Sequence, residues 1–275
     1  MPVGDFYSNI SKSKVGKILL NCLGTLDLHT HIRLKPVLKF IESYFISSKQ
    51  STFNILELGC GSGINAFEIG KIINKLGKSL NYVGVDVSEE SIKTGEKIAS
   101  LFQDDNKLNF SFHCSDAISF LDNLDNYNKF DIILYIEFLE HVENPEEIIK
   151  LSIEKINDNG IFLVSVPTPQ YPKIFGEKFH KKIGHLVDGY DVSKLDNLFK
   201  KFNYDRLIYK YNTGLFANIG CWLYYNVFGD VRNKYAFVIK SIILYPFKFM
   251  DVFNNSVISC SLFAAYIRNN SCYGS

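Results

Sequence analysis

Residues 55–63 have the sequence Ile-Leu-Glu-Leu-Gly-Cys-Gly-Ser-Gly, an apolar run that leads directly into three alternating glycines. The run from Phe53 to Leu58 is short and β-rich, which predicts a strand. From Gly63 to Leu76 apolar residues recur at helical spacing, which predicts a helix. A glycine turn between a strand and a helix lets the backbone approach a ligand at the helix N-terminus. The stretch therefore predicts a ligand-binding loop within an α/β unit.

The alternation of strand and helix continues along the chain. Further strands are predicted at 80–87, 108–114, 130–136 and 161–166, and further helices at 89–102 and after Asn144. The run 130–136 is almost entirely apolar, as expected of a central strand buried on both faces. Asn144 and Pro145 favour a helix start, and Asn159-Gly160 is predicted to end that helix. This alternation predicts a doubly wound, mostly parallel sheet.

Composition excludes several classes of protein. The 275 residues are 47% apolar and 21% charged, which is ordinary for a globular chain and rules out a disordered one. A net charge of +1 gives no overall basic field, so we expect no nucleic-acid partner. There is neither an uncharged apolar run of about 18 residues nor a cleavage site for a signal peptide. The six cysteines form no C-x-x-C pair, which favours reduced thiols and a cytoplasmic location.

Two interpretations of the glycine loop compete. The segment 61–66 fits the dinucleotide pattern G-x-G-x-x-G/A, with Asp86 placed 23 residues beyond Gly63 as a ribose-binding acid. Alternatively, Glu57 and the alternating glycines form an acidic glycine motif. We favour the second, because a carboxylate at Glu57 would repel a pyrophosphate but favour a ligand with an ammonium and a sulfonium group.

The segment 55–63 resembles the first motif of class I S-adenosylmethionine-dependent methyltransferases. Three further stretches, Tyr82–Ser88, His113–Ala117 and Phe130–Val142, resemble the motifs of the second, third and fourth strands. The last is of the Glu-His type common among small-molecule methyltransferases. The resemblance covers roughly Tyr7 to Tyr211, and it implies a seven-stranded, Rossmann-like sheet with a helical insert between the last two strands.

The resemblance also implies which residues contact S-adenosylmethionine. Asp86 would bind the ribose hydroxyls, Asp116 and the following backbone would contact adenine, and Tyr7 would close over the cofactor. Asp116 could instead cap a helix, and Cys60 is expected to be a packing residue rather than a nucleophile. The full predicted set is Tyr7, Glu57, Gly59, Cys60, Gly61, Gly63, Asp86, Val87, Ser115, Asp116, Ala117, Ile136 and Glu137.

Methyl transfer from a sulfonium mainly requires alignment, and an oxygen acceptor also needs a base to take its proton. His185 and His141 follow the fifth and fourth predicted strands, and we rank His185 slightly above His141 as that base; His180 is a third candidate. Glu137, Glu140 and His141 resemble a metal-binding patch of ubiquinone-pathway O-methyltransferases. We expect no metal requirement, with Glu140 and His141 positioning loops instead. Arg33 would meet either an anionic substrate or a surface acid.

Four parts of the chain are predicted: an N-terminal helical cap at 1–50, the S-adenosylmethionine-binding core at 51–211, a helical aromatic insert at 212–259, and a last strand with its tail at 260–275. Two helices, 216–228 and 235–253, are predicted in the insert. The sequence leaves open whether the insert forms ordinary core, an acceptor pocket, a homodimer interface or a peripheral membrane contact.

The sequence predicts an S-adenosylmethionine-dependent methyltransferase that O-methylates a small hydroxylated metabolite, such as a sugar or natural-product intermediate, and releases S-adenosylhomocysteine. The alternatives are an NAD(P)-dependent oxidoreductase and a non-catalytic relative that only binds the cofactor. Within methyltransferases, N-methylation and a lipophilic, quinone-like acceptor stay open.

Overall fold

The computed structural model describes residues 28–102, 105–125, 129–176, 184–228, 234–248 and 254–269. Tyr7, His180 and the first half of the predicted N-terminal cap lie outside these ranges. The domain boundaries stay predictions.

The described strands form one seven-stranded sheet with the order β3-β2-β1-β4-β5-β7-β6. The strands β1 to β5 run parallel, and β7 is antiparallel to both β5 and β6. This confirms the predicted doubly wound class. The bounds are β1 (Thr52–Leu58), β2 (Ser79–Asp86), β3 (Leu108–Cys114), β4 (Phe130–Ile136), β5 (Ile156–Pro167), β6 (Tyr204–Tyr211) and β7 (Ser261–Arg268).

Helices cover both faces of the sheet. They are α1 (Leu28–Ser47), α2 (Ile64–Leu76), α3 (Glu89–Ala99), α4 (Ala117–Asn123), α5 (Pro145–Lys155), α6 (Tyr171–Phe175), α7 (Val192–Lys200), α8 (Leu215–Asn226) and α9 (Lys234–Leu244). Short 3-10 helices span Ser100–Phe102, Leu139–His141 and Tyr245–Lys248. None of the helices in the described ranges is long and apolar enough to cross a membrane.

The core consists of two layers that share the sheet. All seven residues of β4 are buried, as the apolar run predicts. On one face, Ile41 of α1 and Ile69 of α2 pack against the central strands. On the other face, Leu121 of α4, Ile148 of α5 and Leu195 of α7 do so. The sheet is thereby shielded from water on both sides, which a parallel sheet requires.

Two predicted helix ends are wrong. The helix after Asn144 ends at Lys155 rather than at Gly160, because β5 already begins at Ile156. Gly160 lies inside that strand, where a Cβ atom would be 2.5 Å from Cγ1 of Ile156 and 3.0 Å from the Phe130 carbonyl oxygen, so this is a site of close backbone approach rather than a helix stop. The helix predicted at 235–253 ends at Leu244, because Pro246 cannot continue the α-helical hydrogen bonds.

The strand order reverses between β1 and β4, which lie side by side in the middle of the sheet. In open α/β sheets this switch point places the ligand at the carboxyl ends of the strands. Since β5 and β6 are both antiparallel to β7, β6 also ends at that edge. The insert that contains α8 and α9 therefore starts at the edge where the site is expected.

Lys78 fastens the C-terminal end of α1 to the start of β2. Its ammonium donates hydrogen bonds to the carbonyl oxygens of Phe45, Ser48 and Gln50 at 2.6, 2.8 and 2.9 Å. The last carbonyls of a helix have no partners within the helix, so a cation there satisfies groups that would otherwise need water.

We predict that Lys78→Met lowers the free energy of unfolding by about 2 kcal/mol, because three charge-assisted hydrogen bonds are lost while the aliphatic stem is kept. Urea titration measures this. Lys75→Met is the matched control: Lys75 also joins α2 to α1, through an exposed ion pair with Glu42 at 3.4 Å, and its loss should change stability by less than about 1 kcal/mol. Equal effects of the two changes would contradict the role of Lys78.

Candidate active site

The glycine loop joins β1 to α2 and is held by the end of β2. The Val85 carbonyl accepts hydrogen bonds from the amides of Gly59 and Cys60, at 2.8 and 3.0 Å. Gly61 has a φ of +51°, and a Cβ atom there would meet no atom within 4 Å, so the loop borders open space at this position. Gly63 has a φ of +76° and lies so close to Gly95 that a Cβ atom would be 2.9 Å from its Cα. Left-handed backbone and close packing both require glycine here.

Cys60, within the same loop, is 4% exposed, and burial raises the pKa of its thiol. A buried protonated thiol is a poor nucleophile, which favours the predicted packing role.

Asp86 ties the end of β2 to the glycine loop. One carboxylate oxygen accepts a hydrogen bond from the Gly61 amide at 2.9 Å, and the other accepts one from the Ser88 amide at 2.9 Å. Each oxygen retains a lone pair for a further donor. The Asp86 carboxylate is therefore held in one orientation and can still accept a hydrogen bond from a hydroxyl group. The next residue, Val87, is 73% exposed, an unusual value for a valine between a strand and a helix.

Glu57 is fully buried beneath the loop. The Tyr82 hydroxyl donates to one of its oxygens, and the Asn65 amide donates to the other at 2.5 Å. Burial, with a smaller contribution from the charge of Asp86, raises the pKa of Glu57 to about 7 against the opposing effect of these two hydrogen bonds. The predicted influence of Glu57 on a bound ammonium group would therefore pass through Asn65, which lines the cavity above.

A cavity of about 240 Å³ lies between the glycine loop and the N-terminal part of α1. It is lined by Gly59, Cys60, Gly61, Ser62, Ile64, Asn65, Thr30, Arg33, Leu34, Ile136 and Glu137. Nη1 of Arg33 lies 2.5 Å from Oε2 of Glu137, and both side chains are largely buried. Opposite charges thus stand together on one wall of a small cavity. The sequence alone does not identify the partner of Arg33, because only the fold brings α1 close to the end of β4.

Glu137 itself has a φ of +51°, which is uncommon for a residue with a side chain. Its amide donates to the Ser165 carbonyl on β5 at 2.7 Å, which keeps the turn after β4 in place. Strained backbone of this kind concentrates at functional sites.

The predicted adenine-side residues lie at the ends of β2 and β3. The Ser115 amide donates to the Asp86 carbonyl at 3.0 Å. Asp116 caps α4 by accepting a hydrogen bond from the Ser119 amide at 2.8 Å, and that bond lowers the pKa of the exposed Asp116 carboxyl. Asp116 therefore has the capping role that the sequence offered as an alternative. Ser115, Asp116 and Ala117 lie at the same edge of the sheet as Asp86, and their contact with adenine stays a prediction.

A second group of polar side chains follows β4. Glu140 is fully buried, and its Oε1 lies 4.0 Å from Nε2 of His141 and 4.0 Å from Nε2 of His185. The two imidazole rings are 4.9 Å apart and nearly perpendicular. Among the described residues neither oxygen of Glu140 has a hydrogen-bond partner. Burial raises the pKa of Glu140 well above its usual range, and the nearby charge of Glu137 adds to this.

The two histidines differ in their surroundings. Nδ1 of His141 lies 3.1 Å from the Gly184 carbonyl, which can only accept, so in the neutral imidazole Nδ1 carries the proton and Nε2 has the lone pair. The side chain of His141 is 37% exposed, whereas that of His185 is 4% exposed and lies beside the Tyr171 ring at 5.5 Å.

Glu140, His141 and His185 also form a group whose potential ligand atoms all lie within 4.8 Å of one another. One carboxylate and two imidazoles are a donor set that suits zinc or manganese. Glu137, which the sequence placed with Glu140 and His141, is not part of this group, because its carboxylate pairs with Arg33. His185 is the third member of the group instead of Glu137. The sequence does not show this, because His185 is far from Glu140 and His141 along the chain.

We predict that wild-type stability falls as the pH rises from about 4.5 to about 7, because of Glu57. The native state holds the Glu57 proton up to a pKa of about 7, whereas the unfolded carboxyl releases it near 4.5. Over that window unfolding releases a proton, so rising pH favours the unfolded state. Glu57→Gln should reduce the slope of this part of the profile in urea titrations at several pH values, and Glu140, whose pKa is also raised, should account for the slope that remains. The same change at exposed Glu90 should leave the slope as it is, and an unchanged slope in Glu57→Gln would contradict the assignment.

Comparisons with known proteins agree with this geometry. A family model described as a methyltransferase domain matches residues 49–208, more than half of the chain. Ubiquinone biosynthesis O-methyltransferases of Rickettsia typhi and Rickettsia bellii are 25% and 27% identical over 142 residues, which is 52% of this chain and 51% and 52% of theirs. The chain thus matches about half the length of these curated relatives.

Solved structures share the fold. The plantazolicin methyltransferase BamL, in complex with a triazolic desmethylPZN analog and S-adenosylhomocysteine, has a TM-score of 0.58 at 14% identity, and the match covers 98% of each chain. The [4+2]-cyclase SpnF has a TM-score of 0.55 at 14% identity, over 85% of this chain and 80% of its own. The dinucleotide interpretation of the glycine loop finds no support in these comparisons. Together with the glycine loop and the switch-point cavity, they show that the chain belongs to the class I S-adenosylmethionine-dependent methyltransferase family.

Proposed function

We propose that the protein transfers the methyl group of S-adenosylmethionine to a hydroxyl oxygen of a small-molecule acceptor. The observation that carries this proposal is the group of Glu140, His141 and His185, which places imidazole bases at the edge of the sheet that also carries the glycine loop. An activated methyl group needs no base, but a neutral hydroxyl nucleophile does.

The cavity beside the glycine loop suits the amino-acid end of the cofactor. A zwitterionic amino acid has a carboxylate for the Arg33 guanidinium and an ammonium group for the Glu137 carboxylate, and these two side chains lie 2.5 Å apart on one wall. Asp86 would then accept the ribose hydroxyls, and Val87, Ser115, Asp116 and Ala117 would border adenine. Binding would exchange the internal ion pair for two ion pairs with the ligand.

In the transfer step the acceptor oxygen attacks the methyl carbon, and the sulfur–carbon bond breaks with its electron pair left on sulfur. The proton of the hydroxyl passes to an imidazole nitrogen. Nε2 of His141 is the better placed, since the Gly184 carbonyl fixes its tautomer, and this reverses the order that the sequence suggested. An imidazolium formed 4.0 Å from Glu140 would in turn lower the raised pKa of that carboxyl, and the ionised carboxylate would then stabilise the cation.

The same three side chains are compatible with a divalent cation. Such an ion would supply Lewis-acid activation of the acceptor hydroxyl. The carboxylate of Glu140, which has no hydrogen-bond partner among the described residues, is the observation that favours this second possibility.

We predict that Asp86→Ala weakens binding of S-adenosylhomocysteine by about 1–3 kcal/mol, because a charged acceptor of two hydroxyls is lost together with the bond to the Gly61 amide. Isothermal titration calorimetry measures this. Asp105→Ala is a matched control, since Asp105 also accepts a backbone hydrogen bond, at 2.9 Å from Lys107, but precedes β3 at the opposite edge. Normal affinity in Asp86→Ala would place the ribose elsewhere.

We predict that His141→Ala lowers methyl transfer at least about 100-fold while affinity for S-adenosylhomocysteine is unchanged, because the base is lost but the cofactor cavity is not. Glu140→Gln should lower it as well, whereas Glu143→Gln, at an exposed neighbouring acid, should not. The assay quantifies S-adenosylhomocysteine formed with a panel of hydroxylated sugars and aromatics that includes a catechol.

Three outcomes of that assay separate the alternatives. Full turnover in both His141→Ala and His185→Ala would contradict base catalysis by this group. Loss of wild-type turnover on treatment with a chelator, restored by manganese or zinc, would support the metal instead. Tight cofactor binding without turnover of any panel member would point to the non-catalytic alternative.

A further inference from the structure

The two helices of the insert expose apolar side chains and bury polar ones. On α8, Leu215, Ile219 and Trp222 are 46%, 42% and 45% exposed, and their spacing places them on one side of the helix. On α9, Ile239, Ile242 and Ile243 are 58%, 54% and 51% exposed, again on one side. Of the exposed positions described on both helices, Asn226 alone carries a polar side chain.

Three polar residues of these helices face inward. Asn218 is 5% exposed and donates to the Ile258 carbonyl at 2.6 Å. Lys240 and Ser241 are 2% and 5% exposed, and the Lys240 ammonium lies 3.1 Å from the centre of the Tyr224 ring. A helix at a water-facing surface has the reverse arrangement, with its polar residues outward. The outer side of α8 and α9 is therefore apolar, unlike the outer side of a helix that faces water.

The inner side of the insert is fixed on the protein. A Cβ atom at Gly220 would be 2.8 Å from Cβ of Phe247 and 2.9 Å from Cδ2 of Leu28, so α8 lies tightly against α1 and the 3-10 helix Tyr245–Lys248. Ala217 and Cys221 join Leu28 and Tyr171 in one buried cluster. Because this inner side is tightly packed, rotation of the helices about their axes could not bury the exposed apolar side chains.

The composition of the insert favours a lipid surface over a second copy of the chain. Helix α8 has no charged residue, and the segment 212–259 has four lysines and arginines, of which Lys240 is buried, against two aspartates. In the sequence, Arg232 and Lys234 precede the apolar stripe of α9 and Lys248 follows it, and basic residues next to an apolar segment favour anionic lipid. A protein partner would need matching polar groups at the rim of the contact, whereas a bilayer needs none.

We propose that α8 and α9 form a membrane-docking face that inserts Leu215, Ile219, Trp222, Ile239, Ile242 and Ile243 into the headgroup and upper acyl region of an anionic bilayer. This inference goes beyond the proposed methyl transfer and does not depend on it. Docking through the insert would bring the sheet edge with the cavity and the histidines towards the lipid, from which a lipophilic acceptor could be taken.

The test uses the full chain and vesicles of mixed phosphatidylcholine and phosphatidylglycerol. Trp222 is the single tryptophan, so its emission should shift to shorter wavelength on vesicle addition and be quenched by brominated acyl chains. Co-sedimentation should show at least about tenfold weaker partitioning for a Trp222→Glu and Ile242→Glu double variant. Partitioning of the wild type should also be weaker on vesicles of phosphatidylcholine alone.

Ile46→Glu is the matched control, because Ile46 is 63% exposed at the far end of α1 and should not touch the bilayer. Calorimetry with S-adenosylhomocysteine verifies that each variant is folded. Unchanged Trp222 emission with vesicles, or equal losses in Ile46→Glu and the double variant, would overturn the proposal. So would a wild-type dimer in lipid-free sedimentation velocity that becomes a monomer in the double variant, since a second copy would then cover this face.

Discussion

The hydrogen bonds between the end of β2 and the glycine loop are the constraint on which the site depends. The Val85 carbonyl accepts two loop amides, and the Asp86 carboxylate accepts a third from Gly61. These bonds fix the loop at the switch point between β1 and β4, where the strand order reverses. They also orient the Asp86 carboxylate, so the geometry of the loop and that of the proposed ribose-binding acid are coupled.

Other parts of the chain converge on that loop from both sides. Helix α1 is fastened at its end by Lys78, and its beginning carries Arg33 to the cavity, where it meets Glu137 after β4. Beneath the loop, Glu57 is enclosed by Tyr82 and Asn65. The insert packs on the beginning of α1 through Gly220, so the cofactor cavity and the proposed membrane-docking face are parts of one assembly of helices.

Local sequence patterns were sufficient to predict most of the sheet. The bounds predicted for β3 and β4 agree with the observed ones, and in β4 the apolar run Phe130–Ile136 ends at the charged Glu137. The helix end at Gly160 was missed because glycine marks close backbone approach inside a strand as well as a helix stop. The meeting of His185 with Glu140, and of Arg33 with Glu137, could not be predicted, because both depend on how separate elements cross at the sheet edge. The outward orientation of the apolar side chains of α8 and α9 could not be predicted either. The sequence shows an apolar stripe, but only the fold shows whether that stripe faces the core or the surface.

The most direct measurement of the central claim is a crystal structure of the protein with S-adenosylhomocysteine. We expect the amino-acid end to lie between Arg33 and Glu137, the ribose hydroxyls to donate to Asp86, and the sulfur to face the space beside His141 and His185. A ligand whose ribose lies away from Asp86, or whose sulfur faces away from both histidines, would contradict it.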